Sequence, residues 1–212
     1  MSRMPVAERR EQLVEAALAV ASRDGIEAAT VRAVAAEAGV SLGVVHYCFQ
    51  DKDELLRAMA HAITERNAVQ GLELIPSGLP VETVVEQVIG VLWAAISGTR
   101  GSQLLSYELT TSSLRHPELN KVAIEQYRGQ WTTAQRVLEV VGHAADVSWT
   151  VPVEELARVV VAVIDGFSLA WLVDGNAEAA LRGLQGFGSY LATLAVPAGT
   201  SDDDVLPAPA DA

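Results

Sequence analysis

The chain has 212 residues, half of them apolar, a formal net charge of −12 and a single cysteine. One cysteine excludes an intramolecular disulfide and a metal site built on thiolates, and we expect neither a metal nor a cofactor. No uninterrupted apolar run reaches the ~18 residues that a membrane span needs. The start, MSRMPVAERREQL, lacks the apolar stretch of a secretory signal. These properties predict a globular protein in the reducing cytoplasm, with no membrane partner.

The acidic total disfavours a nucleic-acid partner, but the charge is unevenly distributed. Residues 1–66 hold eight basic and ten acidic side chains, whereas residues 67–212 hold seven and seventeen. The distribution of charge is more informative than the total charge, because binding to a nucleic acid depends on a local basic face. The first part of the chain can therefore present a basic face, although charge alone does not predict DNA binding.

Apolar residues recur at helical spacing in the first part of the chain. Four helices are predicted there, at 8–23, 31–38, 42–48 and 52–67. Glycine after Asp24 ends the first helix, and Gly39 ends the second. The expected N-caps of the last three helices are Thr30, Ser41 and Asp51. Two short helices around a glycine turn are the helix-turn-helix pattern.

Longer helices follow a proline- and glycine-bearing loop at 75–80. They are predicted at 81–97, 101–114, 117–142, 153–173 and 177–195. We find no strand-like alternation and no internal repeat, so the predicted fold class is all-α, with about nine helices. The last residues, 197–212, are small, acidic and proline-bearing, and we expect them to be disordered.

The segment TVRAVAAEAGVSLGVVHYCFQDKDELL, residues 30–56, resembles the tetracycline-repressor (TetR) family. The resemblance is close up to about residue 65, and the rest of the chain is similar to the family in the number and length of its helices. It implies a DNA-binding head at 8–66 with its motif at 31–50, and a ligand-binding and dimerisation body at 67–196. It further implies a homodimer that acts as a repressor on a palindromic operator and is released by a small-molecule effector.

Residues of the third helix are the candidates for reading DNA. The helix is too short to be stable alone. It would persist by packing on a small core, leaving its outer face to enter a major groove. That core is expected to contain Val34, Ala35, Val40, Val45, Phe49 and Leu55. Base contacts are expected from Leu42, Gly43, Val44 and His46.

The resemblance adds contacts to the DNA backbone or to a base. With the two capping residues, these candidates are Thr30, Arg32, Ser41, Tyr47 and Lys52. Alternatives stay open: Tyr47 could pack in the head, His46 could point into solvent, and Arg32 could pair with Glu27 or Glu37. Cys48 is read as a small packing residue.

The helix at 153–173 is apolar nearly all round, so it must be covered on both sides. One side can face its own core and the other a partner chain, which agrees with the four-helix dimer interface that the resemblance implies. The interface candidates are Val161, Leu169, Leu181, Leu184 and Leu191. Residues 164–184 also resemble the choline/betaine-pathway regulators within the family.

An effector pocket in the body is implied by the resemblance, with an apolar or aromatic effector. Its candidate lining is aromatic, although each ring could also be an ordinary core residue: Trp93, Tyr107, Tyr127, Trp131, Phe167 and Trp171. Asp165 lies in an apolar run, where a carboxylate is costly unless it is paired. It could meet Arg158, Arg136, a cationic ligand or the partner chain, and Glu108 is a weaker candidate of the same kind.

Two other classes of protein compete with a regulator. An enzyme is disfavoured because the chain lacks the His-Glu-x-x-His, Gly-x-Ser-x-Gly and phosphate-loop motifs. The glycines of GLQGFG, residues 183–188, have nearly the spacing of a dinucleotide-binding motif, but they follow a helix instead of a strand. The acidic residues Asp202–Asp204 lie in the tail, which cannot hold a metal ion rigidly. A helical adaptor with a vestigial motif remains the second alternative. Repression is the expected mode, but the residues do not distinguish it from activation.

Overall fold

A computed structural model describes residues 4–66, 75–115 and 120–199. It is almost entirely helical, which confirms the predicted all-α class. The described helices are α1 (Val6–Asp24), α2 (Val31–Glu37), α3 (Leu42–Cys48), α4 (Lys52–Arg66), α5 (Val81–Ser97), α6 (Arg100–Arg115), α7 (Asn120–Ala145), α8 (Val153–Asp174) and α9 (Ala177–Ala192). A short 3-10 helix, Ile26–Ala28, links the first two. The predicted acidic tail from residue 200 onward lies outside the described residues.

Two short strands were not expected from the sequence. Strand β1 (Val147–Trp149) pairs antiparallel with β2 (Ala195–Pro197). The last helix therefore ends before residue 195, and Pro197 lies in a strand instead of a disordered tail. Three-residue strands carry too little alternation to be recognised in a sequence. The indole nitrogen of Trp149 donates to the carbonyl of Leu138 at 3.0 Å, which ties this sheet to α7.

The turns of the head follow from local chemistry. Gly39 has φ of 65°, a left-handed conformation that favours glycine, and it turns the chain between α2 and α3. The Thr30 hydroxyl accepts from the Ala33 amide at 3.2 Å, and the Asp51 carboxylate accepts from the Glu54 amide at 2.7 Å. These two predicted caps are confirmed. Ser41 occupies the N-cap position of α3, but its side chain makes no capping hydrogen bond.

The core of the head extends into the body. The expected residues of α2, α3 and α4 are buried together, and Val40 packs against them. Leu105 and Leu109 of α6 and Val122 of α7 are buried in the same cluster. A second core cluster is formed mainly by α5, α7, α8 and α9. Helices α6 and α7 thus connect the head to the body.

Two glycines of the GLQGFG segment let α9 approach its neighbours closely. A Cβ atom added at Gly183 would lie 2.1 Å from a ring carbon of Phe167 on α8. One added at Gly188 would lie 2.4 Å from the end of the Ile89 side chain on α5. Close helix packing therefore accounts for these glycines.

We expect Gly183→Ala to lower the stability of the fold, because the added methyl group meets a large ring that has to move. Overpacking of this kind costs about 1–3 kcal/mol. Gly90→Ala on α5 is the matched control, since a Cβ there meets nothing within 4 Å. That control should raise stability by up to about 1 kcal/mol through helix propensity. Thermal melting followed by circular dichroism measures both, and equal effects would contradict the packing explanation.

Helix α8 is long and apolar enough to cross a membrane, and the bent pair α5 and α6 would together pass the same test. Helix α8 also contains Arg158 and Asp165, so it is not an uninterrupted apolar run of the kind that the sequence analysis found absent. One side of α8 packs in the core, and the other leaves apolar side chains exposed, with Leu169 49% and Val173 82% exposed. Burial on one side and an apolar surface on the other account for the composition of this helix.

Candidate nucleic-acid interface and effector pocket

The outer face of α3 is open to solvent. Leu42 is 42% exposed, Ser41, Gly43 and His46 are also exposed, and Val44 is half-buried. The opposite side of the helix places Val45 in the head core, which fixes the orientation of the exposed face. An exposed helix face on a small rigid head has the shape that a major groove admits.

The alternatives that the sequence left open for the flanking residues are resolved by exposure and pairing. Tyr47 is 68% exposed, so it does not serve as a packing residue. Arg32 is exposed, and both carboxylates that could pair with it bind elsewhere. Glu37 pairs with Arg23 at 3.3 Å and Glu27 with Lys52 at 3.7 Å. Arg32 and Tyr47 are therefore presented to solvent beside the exposed face of α3.

Lys52 is the first residue of α4 and is half-buried. Its ion pair with Glu27 of the 3-10 helix was not predicted. A surface ion pair of this kind is worth at most about 1 kcal/mol. The ammonium group can therefore exchange this carboxylate for a phosphate at little cost.

Arg10 of α1 is a structural residue of the head that the sequence analysis missed. Its guanidinium carbon lies 4.3 Å from the centroid of the Phe49 ring, and it donates to the Cys48 carbonyl and, at 2.7 Å, to Glu54. The backbone amide of Gln50 also donates to Glu54, and these bonds lower the pKa of that carboxyl group. Cys48 is buried, which confirms its role in packing. Arg10 thereby holds the end of α3 against α1 and α4.

The body contains an apolar cavity of about 160 Å³ between α5, α6, α7, α8 and α9, with one residue from α4. Most of its wall is aliphatic. The described lining residues are Ile63, Val85, Val88, Ile89, Leu92, Ile96, Gln103, Tyr107, Gln130, Thr133, Ala134, Val137, Leu138, Val141, Val160, Val161, Ile164, Asp165, Leu184, Phe187 and Leu191. Such a cavity suits a small, mainly apolar guest.

Among the six predicted aromatic lining residues, only Tyr107 reaches this cavity. Trp93 and Trp171 instead pack edge to face in the core, with ring centroids 5.4 Å apart. Phe167 lies against Gly183. The remaining pair, Tyr127 and Trp131, pack edge to face with ring centroids 5.8 Å apart and do not line this cavity. The aliphatic walls were missed because aliphatic residues around a cavity have the same helical spacing as core residues.

Asp165 lies in the cavity wall with two tyrosines on its carboxylate. The Tyr107 hydroxyl donates to one oxygen at 3.1 Å, and the Tyr127 hydroxyl donates to the other at 2.8 Å. Burial raises the pKa of Asp165, although the two hydrogen bonds act in the opposite direction. Burial beside this carboxylate also raises the pKa of both tyrosines, which keeps their hydroxyls protonated and able to donate.

Neither of the two arginines considered as partners of Asp165 pairs with it. Arg158 lies over the ring of Trp131, 3.8 Å from its centroid, and Arg136 lines a separate polar groove. Glu108 does not face the cavity, because its carboxylate accepts from the Ile26 amide in the head at 3.2 Å. Within the described part of the chain, no basic side chain forms an ion pair with Asp165.

Three of the five residues predicted for a dimer interface need correction. Val161, Leu184 and Leu191 are buried in the core of a single chain and line the cavity, so they have almost no surface to offer a partner. Leu181 is half-buried against the same core, whereas Leu169 is exposed. The helical spacing was read correctly, but the side of the helix that faces outward was not identifiable from an all-round apolar pattern.

The chain matches two family models. Residues 13–59 match "Bacterial regulatory proteins, tetR family", and residues 79–187 match "Tetracyclin repressor-like, C-terminal domain". The second alone covers more than half of the chain.

The chain belongs to the TetR family.

As a TetR-family protein it is a DNA-binding transcriptional regulator with a helix-turn-helix head. It is 28% identical over 172 residues to the nicotine-responsive transcriptional repressor HdnoR of Paenarthrobacter nicotinovorans, covering 81% of this chain and 88% of that protein. It is 31% identical over 130 residues to the regulator BetI of Escherichia coli, covering 54% of this chain and 67% of BetI. The resemblance to the choline/betaine-pathway regulators is thereby confirmed.

Solved structures of TetR-family regulators share the fold. The multidrug binding protein EbrR, complexed with imidazole, is 29% identical, with a TM-score of 0.61 over 91% of this chain and 98% of that chain. Its complex with ethidium covers 84% of this chain and 97% of that chain, with the same identity and TM-score. A TetR-family regulator from Rhodococcus sp. has a TM-score of 0.71 over 88% of this chain and 99% of that chain at 20% identity, which shows the fold alone.

Proposed function

We propose that this protein is a cytoplasmic homodimeric repressor that binds a palindromic operator and is released from it by a small-molecule effector. One observation carries this proposal: two helices belong both to the head core and to the cavity wall. Helix α4 buries Leu55 in the head and places Ile63 at the cavity. Helix α6 buries Leu109 in the head core and places Tyr107 at the cavity.

The exposed head residues supply the DNA contacts. Leu42, Gly43, Val44 and His46 read base edges, and Leu42 and Val44 suit the methyl group of thymine. The candidates for phosphate contact are Thr30, Arg32, Ser41, Tyr47 and Lys52. Phosphate contacts set the position on DNA, while base contacts select the sequence.

A guest in the cavity acts on the head through α4 and α6. Besides its buried leucines, α6 reaches the 3-10 helix by two hydrogen bonds. Glu108 accepts from the Ile26 amide at 3.2 Å, and the Ser112 hydroxyl donates to Glu27 at 3.3 Å. A small shift of α6 therefore moves the head. To take an operator from mostly bound to mostly unbound, the effector must favour the released state by about 5.5 kcal/mol.

The exposed apolar stripe of α8 is the proposed dimer surface. Val159, Leu169 and Val173 share one side of α8, with Gly166 among them, and Tyr190 is exposed on the adjacent α9. A second copy would bury these side chains in a two-fold four-helix contact. Leu169 belongs to this proposed interface, whereas the buried residues Val161, Leu184 and Leu191 do not.

The relatives support a small-molecule effector. HdnoR is nicotine-responsive by name, and EbrR structures contain imidazole, ethidium and malachite green. These proteins are 28–29% identical to this chain over most of its length. We therefore propose an apolar or aromatic effector for this protein too, bound in the cavity.

Selection from random-sequence DNA tests the proposed function. The purified protein should enrich one sequence with two-fold symmetry, and transcription from a promoter that carries this sequence should fall when the protein is added. No enrichment of any sequence would make the protein a helical adaptor. A rise in transcription would make it an activator.

We expect Lys52→Ala to weaken operator binding and to flatten its dependence on salt. Each lost phosphate contact lowers the slope of log affinity against log salt by about one unit. The other lysine of the chain, Lys121, lies exposed on α7 outside the head and is the matched control. Fluorescence anisotropy with the selected DNA at several salt concentrations measures the slope. An unchanged slope for Lys52→Ala would remove this residue from the interface.

A further inference from the structure

We propose that the effector is an apolar organic monocation whose positive nitrogen lies against Asp165. This inference deepens the proposed function, since it assigns a chemical class to the molecule that occupies the cavity.

The charge of the cavity wall is the first argument. Asp165 is the one side chain of charged type among the described residues that line the cavity, and the rest of the lining is mainly aliphatic. A carboxylate in apolar surroundings is costly when no opposite charge accompanies it. Arg158, on the same helix, lies over the Trp131 ring instead. A cationic guest would supply the missing opposite charge.

The geometry of the carboxylate leaves room for this guest. A carboxylate has about four sites that accept hydrogen bonds. Each oxygen of Asp165 receives one bond, from Tyr107 or from Tyr127. Both bonds come from neutral hydroxyls, so they orient the carboxylate without neutralising it. The side chain is thus held in one position, with acceptor sites to spare, at the edge of an apolar cavity.

Two glutamines show that the cavity is built to receive polar atoms besides the charge. Gln103 is only 6% exposed, and its side-chain nitrogen has no hydrogen-bond partner in the described structure. The side-chain oxygen of Gln130 is also buried without a partner. Both residues line the cavity. Because unsatisfied buried amides are costly, they favour a guest that offers them hydrogen bonds.

The volume limits the body of the guest. A cavity of about 160 Å³ is close to the size that admits one benzene-sized molecule, about 150 Å³. The side chains of Val88, Ile89 and Ile164 supply its apolar walls. A single ring that carries one positive nitrogen fits this combination of size, apolar wall and one carboxylate.

A matched pair of probes tests the charged nitrogen. Benzylammonium and ethylbenzene have nearly the same shape and differ in the ammonium group that replaces a methyl group, and this ammonium group can donate hydrogen bonds to the Asp165 carboxylate. Binding of each to the full-length protein, without DNA, is measured by calorimetry or by competition with a fluorescent dye. We expect the wild type to bind the cation at least tenfold more tightly than the neutral compound. Asp165→Asn should lose at least tenfold in affinity for the cation and none for the neutral compound.

Asp174→Asn at the exposed end of α8 removes the same charge from the same helix and is the control. It should leave both affinities unchanged. Equal binding of the two probes by the wild type, no binding of the cation, or an unchanged cation affinity in Asp165→Asn would each overturn the proposal. Since DNA is absent, these results are independent of the proposed function. A cation that binds but does not release the selected DNA would contradict effector release and leave the cation site in place.

Discussion

Leu169→Glu should convert the protein from a dimer into a monomer. Leu169 is 49% exposed in the single chain and lies on the apolar stripe of α8. A glutamate there stays hydrated in the monomer, but a two-fold contact would bury two like charges near each other. Burying an unpaired charge costs several kcal/mol. Light scattering at micromolar concentration measures the mass directly.

The loss of the dimer should lower operator affinity by about 10²–10⁴-fold, because the second head no longer binds as part of the same molecule. The selected two-fold sequence and a single half-site are compared by fluorescence anisotropy. For the wild type, the complete sequence should bind far more tightly than the half-site. For Leu169→Glu, the two should bind almost equally.

Leu114→Glu provides the control, because Leu114 is an exposed leucine on α6, a different helix from the one that carries the stripe. It should remain dimeric and keep its operator affinity. Val161→Glu makes a further contrast, since Val161 is buried in the core of one chain. It should unfold the protein instead of separating two folded subunits. A dimeric Leu169→Glu protein would place the interface elsewhere.

Asp165→Asn should raise the thermal stability of the unliganded protein at neutral pH. The wild-type carboxylate is partly buried and has neutral donors only, whereas an asparagine carries no charge to desolvate. We expect a gain of about 1 kcal/mol, which corresponds to roughly 2–4 °C in Tm for a protein of this size. The structure thus predicts a residue that lowers stability and serves binding.

The sign of the pH dependence follows from the raised pKa of Asp165. Folding favours the protonated carboxyl group, so the contribution of Asp165 to stability is fully present below the ordinary value of 3.8 and is lost as pH rises through the higher folded value. Tyr107 and Tyr127 stay protonated throughout this range. The Tm difference between Asp165→Asn and the wild type should therefore be small near pH 4 and grow towards neutral pH.

The exposed Asp174→Asn serves again as the control, and its Tm difference from the wild type should not grow in this way. A Tm difference for Asp165→Asn that is constant between pH 4 and 7 would show that burial does not penalise the carboxylate. The measurement needs no ligand and no DNA, so it tests the site independently of the proposed effector.

The parts of the fold that depend on neighbouring residues were predictable from the sequence. Thr30, Gly39 and Asp51 each act within a few residues of their own position, so the short helices of the head were assigned almost to the residue. Arg10 could not be found in this way. Its partners Cys48 and Glu54 lie 38 and 44 residues away, and no local pattern brings them together.

The cavity was predicted less well, for a physical reason. Helical spacing marks apolar residues as inward-facing, but it does not distinguish a filled core from a lined cavity. Trp93 and Trp171 are large enough to fill space by packing on each other, whereas Val88 and Ile164 leave a void beside them. Asp165 was singled out correctly as a costly residue in an apolar run. Its tyrosine partners come from α6 and α7 and depend on how these helices pack.

The shared core of the head has a consequence for engineering. Leu105, Leu109 and Val122 cover the apolar side of the first four helices, although they follow much later in the chain. A chimera joined after α4 would place a foreign surface against that side. The transplanted head would then pack poorly on its new body. Exchange of operator specificity between regulators is better attempted by replacing the outward residues of α3, which leaves the supporting contacts with α6 and α7 in place.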